Sequence, residues 1–554
     1  MLLPITFFSR WGPIDDWGIL EYLIEDISRT QLINNFAESG RFFPLYRIEW
    51  NILSNYFIDP YLFYTFNFIE ATVACYILYN IFTKYAHKTT GLIAILVLIL
   101  SPAFVTSFYR LGVPDKNSFF LFVVAIYLIL NDLSVNERPK RRQLYLLMAL
   151  LTTNTALYFK EPGFILASVF TTVFTILNYV YNKKWYEQNK KSIISIFVFT
   201  IASSFVFLML YLALPHITDM NATLSNNYVT GFNPDASILK RLLLSIQSVV
   251  WFLFTDPLII FLAPSLLTLR IVKWNKFMQN ISDPKDRMLL FVADSALAAT
   301  LCYACFYIAT AVINYHYLLP AYAFLLPSLA IYTDILTNKK IINMHPSLKY
   351  IKLRKMAILI VSLLLIGSFA AGINQMILLK YIPYNMNEFL DNSIPIIKSD
   401  LDNKMPSEKI NFFLLGVDRR QYVELYHSFP TYLKLRDVNI SRIDIKSVDE
   451  VDSNFKPNIS AEYTAFRTKD IQIPENGDYI VIMPYSRKDE NSMIKMLKKQ
   501  HGIELEKLYA SNNCCFIQFP FPIQIIRQIA KEAGFYTSDE IFYWTAGYSL
   551  YIVK

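Results

Sequence analysis

The residues best suited to chemistry lie near the start of the chain. In Trp11-Gly-Pro-Ile-Asp-Asp-Trp17, Asp15 and Asp16 stand side by side between two tryptophans. Paired carboxylates can orient or deprotonate a nucleophile. They also cap helices, and Ile19 to Ile27 has helical spacing. Four later segments carry related chemistry. Gly40-Arg-Phe-Phe-Pro-Leu-Tyr-Arg47 holds Arg41, and Tyr109-Arg-Leu-Gly-Val-Pro-Asp-Lys-Asn117 holds Arg110, Asp115 and Lys116. Tyr158-Phe-Lys-Glu-Pro162 holds Lys160 and Glu161, and Asn314-Tyr-His-Tyr-Leu-Leu-Pro320 holds His316. Together they supply carboxylates for base work and cations for a phosphate. Each also has a plainer reading. Arg110 and Lys116 could snorkel to lipid headgroups, Lys160 could pair with Glu161, Asp115 after Pro114 could cap the next helix, and His316 could be a satisfied interfacial histidine.

The elements that must position these residues are membrane helices. Of 554 residues, 54% are hydrophobic and 17% charged, whereas a soluble domain carries about a quarter charged residues. Apolar runs of about 15–25 residues fit spanning helices rather than barrel strands. Ten spans are expected near 61–82, 91–109, 117–131, 143–158, 162–180, 192–214, 244–268, 288–313, 316–336 and 356–379. The net charge is +8, but the basic residues sit in short loops between spans. That is the pattern of topology-setting charge and not of a nucleic-acid-binding face.

The loops at 83–90, 131–142, 181–191, 269–287 and 338–355 hold 21 Lys and Arg. Those at 110–116, 159–161, 215–243 and 314–315 hold five. The positive-inside rule makes the first set cytoplasmic, so a first outer loop at 10–58 and everything after 380 face outside. All the polar segments above then share the outer side. Residues 1–8 are apolar but too short to span; they read as the tail of a missing helix, giving eleven spans in a complete chain.

After residue 380 the composition changes to that of a compact α/β domain, 381–554. Lys409 to Leu415, Asp478 to Met483 and Cys515 to Phe519 alternate like strands, while Gln421 to Ser428 and Ile525 to Ala533 read as helices. The five cysteines imply no disulfide framework, and Cys302-x-x-Cys305 reads as two small core residues. Three outer-side sequons begin at Asn221, Asn439 and Asn458.

An acidic pair in the first outer loop, a Gly-Arg-Phe-x-Pro-Leu segment after it, an acidic residue before a following span and a Lys-Glu pair further on form an ordered, one-sided series. In this the chain resembles the GT-C membrane glycosyltransferases, in a bacterial version of the protein O-mannosyltransferase and aminoarabinose-transferase branch. The likeness covers residues 1 to about 380. It implies a GT-C-like polytopic α-helical fold that inverts at the anomeric carbon of a polyprenyl-phosphate-linked sugar. The acceptor would be a glycan, lipid or protein of the envelope, and the location the inner (plasma) membrane. Asp15 would be the catalytic carboxylate. Asp16 and Asp115 would support it, or hold a divalent metal in branches that use one. Lys160, Arg110 and Arg41 would offset the donor phosphate, with Lys116 beside them and Glu161 orienting Lys160. His316 stands where family members often carry an arginine. Two alternatives compete: an envelope polysaccharide polymerase or ligase, and a transporter or non-catalytic envelope protein. The sequence offers a transporter only Glu70 and Asp294 as intramembrane charges, and no repeat symmetry.

Overall fold

The computed structural model describes residues 2–7, 9–12, 42–54, 56, 59–134, 139–217, 238–281, 283–338, 348–415, 429, 431–447, 473–482, 490–511 and 547–554. Asp15, Asp16 and Arg41, the expected helices at Ile19 to Ile27, Gln421 to Ser428 and Ile525 to Ala533, and the expected strand at Cys515 to Phe519 lie outside them. The chain divides into two compact units. The first comprises Met1–Ile5, Ile27–Ile52 and Tyr64–Gln375; the second comprises Thr6–Asp26, Leu53–Phe63 and Met376–Lys554.

The first unit is helical. In chain order its elements are α1 (Ile48–Ser54), α2 (Pro60–Tyr85), α3 (Lys88–Ile99), α4 (Pro102–Phe108), α5 (Asp115–Ser134), α6 (Pro139–Leu157), α7 (Gly163–Tyr181), α8 (Lys183–Ile217), α9 (Ile238–Thr255), a π-turn at Leu258–Leu262, α10 (Ala263–Val272), α11 (Trp274–Asn280), α12 (Pro284–Thr310), α13 (Leu319–Asn338) and α14 (Leu348–Asn403). Among the described residues seven helices are long and apolar enough to cross a membrane, or up to nine if each of two bent pairs forms one span. The chain is a multi-pass membrane protein. The expected span at 143–158 exists as α6, a 19-residue helix, but its first turn carries Lys140, Arg141 and Arg142 and it falls short in apolarity.

Helix α12 forms the middle of the unit and packs on α7, α13 and α10. Residues Met288 to Leu297 are buried without interruption. Ala293, Ser295, Ala296 and Ala299 are small, which lets neighbouring helices approach closely where no hydrophobic force drives them together. Cys302 and Cys305 do not join this core; both are exposed on the outward side of α12, while Tyr303, Ala304 and Tyr307 face inward. On α8, Val198, Phe205, Val206 and Met209 are exposed, a surface suited to lipid.

Two expected spans are broken. The run at 91–109 bends by 64° between α3 and α4. Ser101 caps α4, its hydroxyl accepting from the Phe104 amide at 3.2 Å and donating to the Leu98 carbonyl at 2.7 Å, and Pro102 opens the new helix. Gly372 on α14 lies against this bend, where a Cβ would fall on the Leu100 carbonyl oxygen. The run at 244–268 bends by 111° between residues 255 and 258, at Asp256-Pro257. Proline cannot donate to the preceding turn, so the ladder stops there.

In the second unit, α14 continues through residue 380 to Asn403, so the composition change falls inside a helix and not at a linker. Beyond it come β1 (Ile410–Leu415), β2 (Ile443–Ser447), β3 (Tyr479–Ile482), α15 (Glu490–His501), β4 (Leu505–Ala510) and β5 (Ser549–Val553). The sheet order is β2-β1-β3-β5-β4. β1 runs parallel to β2 and β3, whereas β5 is antiparallel to β3 and β4. Met493, Leu497 and Ile503 pack on Phe413, Ile480, Ile482 and Tyr551 to form its core. Glu490, at the start of α15, accepts from the Ser549 and Tyr551 hydroxyls and meets Lys507 Nζ at 2.9 Å. Burial pushes the Tyr551 phenol above its usual range, and hydrogen bonding to Glu490 adds to the shift. The same unit holds the backbone just before the acidic pair. Asn387 Nδ2 donates to the Trp11 carbonyl at 3.1 Å, the Tyr432 hydroxyl donates to the Gly12 carbonyl at 2.5 Å, and Trp11 packs on Phe63.

Candidate active site

Three turns of the first unit converge: the one before α5, the one between α6 and α7, and the one between α12 and α13. Each is shaped by local chemistry. Pro114 lacks an N–H to give, and α5 begins at the next residue. Pro162 precedes α7 and Gly163 opens it. Helix α12 ends on Ala311 in the left-handed region (φ 54°), which turns the chain into residues 312–318.

Asp115, the first residue of α5, is fully buried. Its Oδ2 meets Lys160 Nζ at 3.3 Å and lies 3.8 Å from His316 Nε2. Lys160 is 2% exposed. Its ammonium sits 4.7 Å from the centre of the Tyr317 ring. Tyr317 in turn stacks on Tyr307 at 4.9 Å and meets His316 edge-on at 4.6 Å. A carboxylate, an ammonium and an imidazole thus meet inside an aromatic wall. Burying an ammonium costs less with an opposite charge beside it, and Asp115 supplies one.

The next residue, Lys116, serves a second cluster. It is also fully buried, so it does not snorkel to headgroups. Its ammonium donates to Asn67 Oδ1 at 2.5 Å and to the Leu111 carbonyl at 3.3 Å, and lies 4.2 Å over the Trp50 ring. Asn67 and Glu70 stand three residues apart on one face of α2. Asn67 Nδ2 donates to the carbonyls of Phe108 and Arg110 at 3.1 and 3.0 Å, and Asn117 Nδ2 donates to Glu70 Oε1 at 3.3 Å. The Tyr46 hydroxyl donates to the Gly112 carbonyl at 2.6 Å. These contacts fix the end of the Gly40-to-Arg47 segment and the 110–114 turn around the α5 N-terminus.

Of the expected site residues, the structure brings Asp115, Lys160 and His316 together. Asp115 is the first residue of its helix, not a cap before it. The ion pair of Lys160 is with Asp115, and Glu161 is itself buried at 5% exposure. The Arg110 side chain is half-buried at the same turn. Sequence reasoning missed Tyr317, Trp50 and Asn67. Tyr317 was visible only as part of the Tyr-His-Tyr run; nothing in the sequence ties Trp50 or Asn67 to Lys116. The two charges a transporter reading would use are occupied. Glu70 accepts from Asn117, and Asp294 accepts from Arg270 Nε at 3.1 Å and from the Tyr332 hydroxyl. Another buried carboxylate, Asp256, interrupts an apolar run that otherwise reads as a plain span. Among the described residues no group of three or more His, Cys, Asp or Glu could hold a metal ion.

No protein-family model and no curated protein matches the chain. Among solved structures it is similar to ArnT from Cupriavidus metallidurans bound to undecaprenyl phosphate, at 12% identity and a TM-score of 0.43, covering 91% of this chain and 94% of that one. It is also similar to the oligosaccharyltransferase AglB from Archaeoglobus fulgidus in complex with an inhibitory peptide and a dolichol-phosphate, at 13% identity and a TM-score of 0.37, covering 88% of this chain and 69% of that one.

Proposed function

We propose that the chain is an inverting glycosyltransferase that takes a sugar from a polyprenyl-phosphate donor and passes it to a glycan, lipid or protein of the envelope. The observation that carries this reading is the buried Lys160 ammonium, matched by Asp115 and His316 within an apolar, aromatic surround. In the proposed reaction the acceptor oxygen or nitrogen forms a bond to the anomeric carbon from the face opposite the phosphate. The carbon–oxygen bond to the phosphate then breaks with its electron pair. The donor is a phosphodiester with one negative charge, and the leaving polyprenyl phosphate becomes a monoester that gains a second. Cations aimed at that growing charge lower the barrier, and more so where water is scarce. Lys160 is the first such cation, and His316, Arg110 and Arg41 serve the same charge. Asp15 takes the proton of the acceptor nucleophile, with Asp16 in support. Asp115 pairs with Lys160 and holds it in position, Glu161 lines the same turn, and Lys116 keeps the α5 turn in place.

The same reading puts the site at the outer face of the plasma membrane, with a membrane domain to about residue 380 and an extracytoplasmic domain at 381–554. Its support is the sidedness of the basic residues.

The test uses purified protein in nanodiscs and undecaprenyl phosphate as the probe. Lys160→Met should weaken binding by about tenfold or more, which corresponds to about 1.4 kcal/mol, while Lys160→Arg keeps most of it. Unchanged binding by a folded Lys160→Met protein would remove Lys160 from the donor site.

A further inference from the structure

Asp256 is a fully buried carboxylate that the proposed chemistry does not use. It sits at the 111° break between α9 and α10. Both of its oxygens are engaged: Thr255 Oγ1 donates to Oδ2 at 2.8 Å and the Tyr322 hydroxyl donates to Oδ1 at 3.1 Å. The backbone at the break is also satisfied. Ser368 Oγ donates to the Thr255 carbonyl at 2.7 Å, and the Asp256 carbonyl accepts from the amides of Ile259 and Ile260 at 3.0 and 3.2 Å. Broken helices persist in membranes only when their freed groups are bonded in this way.

What the break holds is the segment that carries the site. Tyr322 lies in the first turn of α13, five residues beyond Tyr317. About one turn before Asp256, Trp251 packs on the Tyr315 ring at 4.8 Å. The two grips, at 315 and 322, bracket His316 and Tyr317. Those two residues meet Asp115 and Lys160.

We infer that Asp256 and Trp251 are positioning residues: from the helix break they hold residues 315 and 322, and so set His316 and Tyr317 against the Asp115–Lys160 pair. The inference rests on reading that cluster as the donor site. The helix itself supplies a control. Ten residues after Tyr322, Tyr332 donates to another buried carboxylate, Asp294, which is held by Arg270 on α10. Deleting the Tyr332 hydroxyl disturbs a buried tyrosine–aspartate pair of the same kind on α13, away from the bracketed segment.

The experiment places a cysteine at position 316, which is 8% exposed, in a background freed of the other five cysteines. The rate of labelling by a maleimide is followed in nanodiscs. Tyr322→Phe and Asp256→Leu should raise that rate several-fold, Asp256→Asn should restore most of the protection, and Tyr332→Phe should leave it unchanged. Should Asp256→Leu fail to fold, Tyr322→Phe carries the test alone. An unaltered rate in folded Tyr322→Phe, or an equal rise in Tyr332→Phe, overturns the inference. Undecaprenyl phosphate binding, read in proteins that retain His316, separates this result from the donor reading. If Tyr322→Phe raises labelling while Lys160→Met leaves phosphate binding intact, the positioning role stands and the donor assignment falls.

Discussion

The ion pair between Asp115 and Lys160 invites a double-mutant cycle. Both groups are almost wholly removed from solvent, at 0% and 3% side-chain exposure, and lie 3.3 Å apart. At an effective dielectric of 20, a pair at that separation attracts by about 5 kcal/mol. The net value is smaller, because both charges were taken out of water to make it. Removing one partner strands the other, and stranded charges in buried pairs cost about 3–5 kcal/mol. Asp115→Asn leaves the Lys160 ammonium with the ring of Tyr317 and a histidine that adds no negative charge. Lys160→Met leaves the Asp115 carboxylate without its ammonium, with His316 at 3.8 Å and charged only when protonated. Each single change should therefore lower the unfolding free energy by about 3 kcal/mol. The double variant should lose less than the sum of the two, with a coupling of about 2 kcal/mol. Denaturant titration of the four proteins in one detergent measures all the terms. Single losses below about 1 kcal/mol that add without coupling would falsify the picture of a dry, mutually dependent pair.

Three further changes have defined outcomes. Asp15→Asn should reduce sugar transfer by about 10²–10⁴-fold while membrane insertion is retained, since that is what a positioned base contributes; a variant keeping more than a tenth of wild-type turnover would exclude Asp15 as the base. Gly372→Ala should destabilise the first unit by about 1–3 kcal/mol, because the new methyl meets the Leu100 carbonyl and not a yielding side chain; a melting curve unchanged from wild type would mean that the α3–α4 bend relaxes freely. Ala311→Gly should stabilise by up to about 1 kcal/mol, since alanine at φ 54° bears the left-handed penalty that glycine avoids; a lowered melting temperature would contradict it.

Much of the membrane architecture is legible in the sequence because run length and composition decide whether a segment can cross lipid. The two breaks are not legible that way. Averaging hydropathy over 91–109 or 244–268 hides them, yet Ser101-Pro102 and Asp256-Pro257 mark both in plain residues. The strands at Ile410–Leu415 and Tyr479–Ile482 fall within the expected segments, although Tyr479–Ile482 is buried at every position and does not alternate. The composition changes near residue 381 because Asn385, Asn387, Glu388 and Asp391 enter α14, which nonetheless runs on to Asn403. Sidedness of charge predicts Asp115, Lys160 and His316 on one face of the membrane, and the fold brings Lys160 and His316 within 4 Å of Asp115. Tyr317 was hidden among 37 tyrosines and 43 phenylalanines, where one more ring carries no signal. Lys116 was grouped with the other cations because adjacency in sequence says nothing about the direction in which each side chain leaves a helix.

That divergence at the head of α5 has a consequence for which sequences the fold can accept. Asp115 answers an ammonium on one side, while Lys116 answers an amide, a ring and the field of Glu70 on the other. Transposing the two letters would keep composition, net charge and hydropathy the same. It would nonetheless set an ammonium against Lys160 and bring a carboxylate toward Glu70. The order of this dipeptide therefore works as a polarity key: it admits one rotational setting of the helix, and a slip by a single residue is opposed from both sides at once.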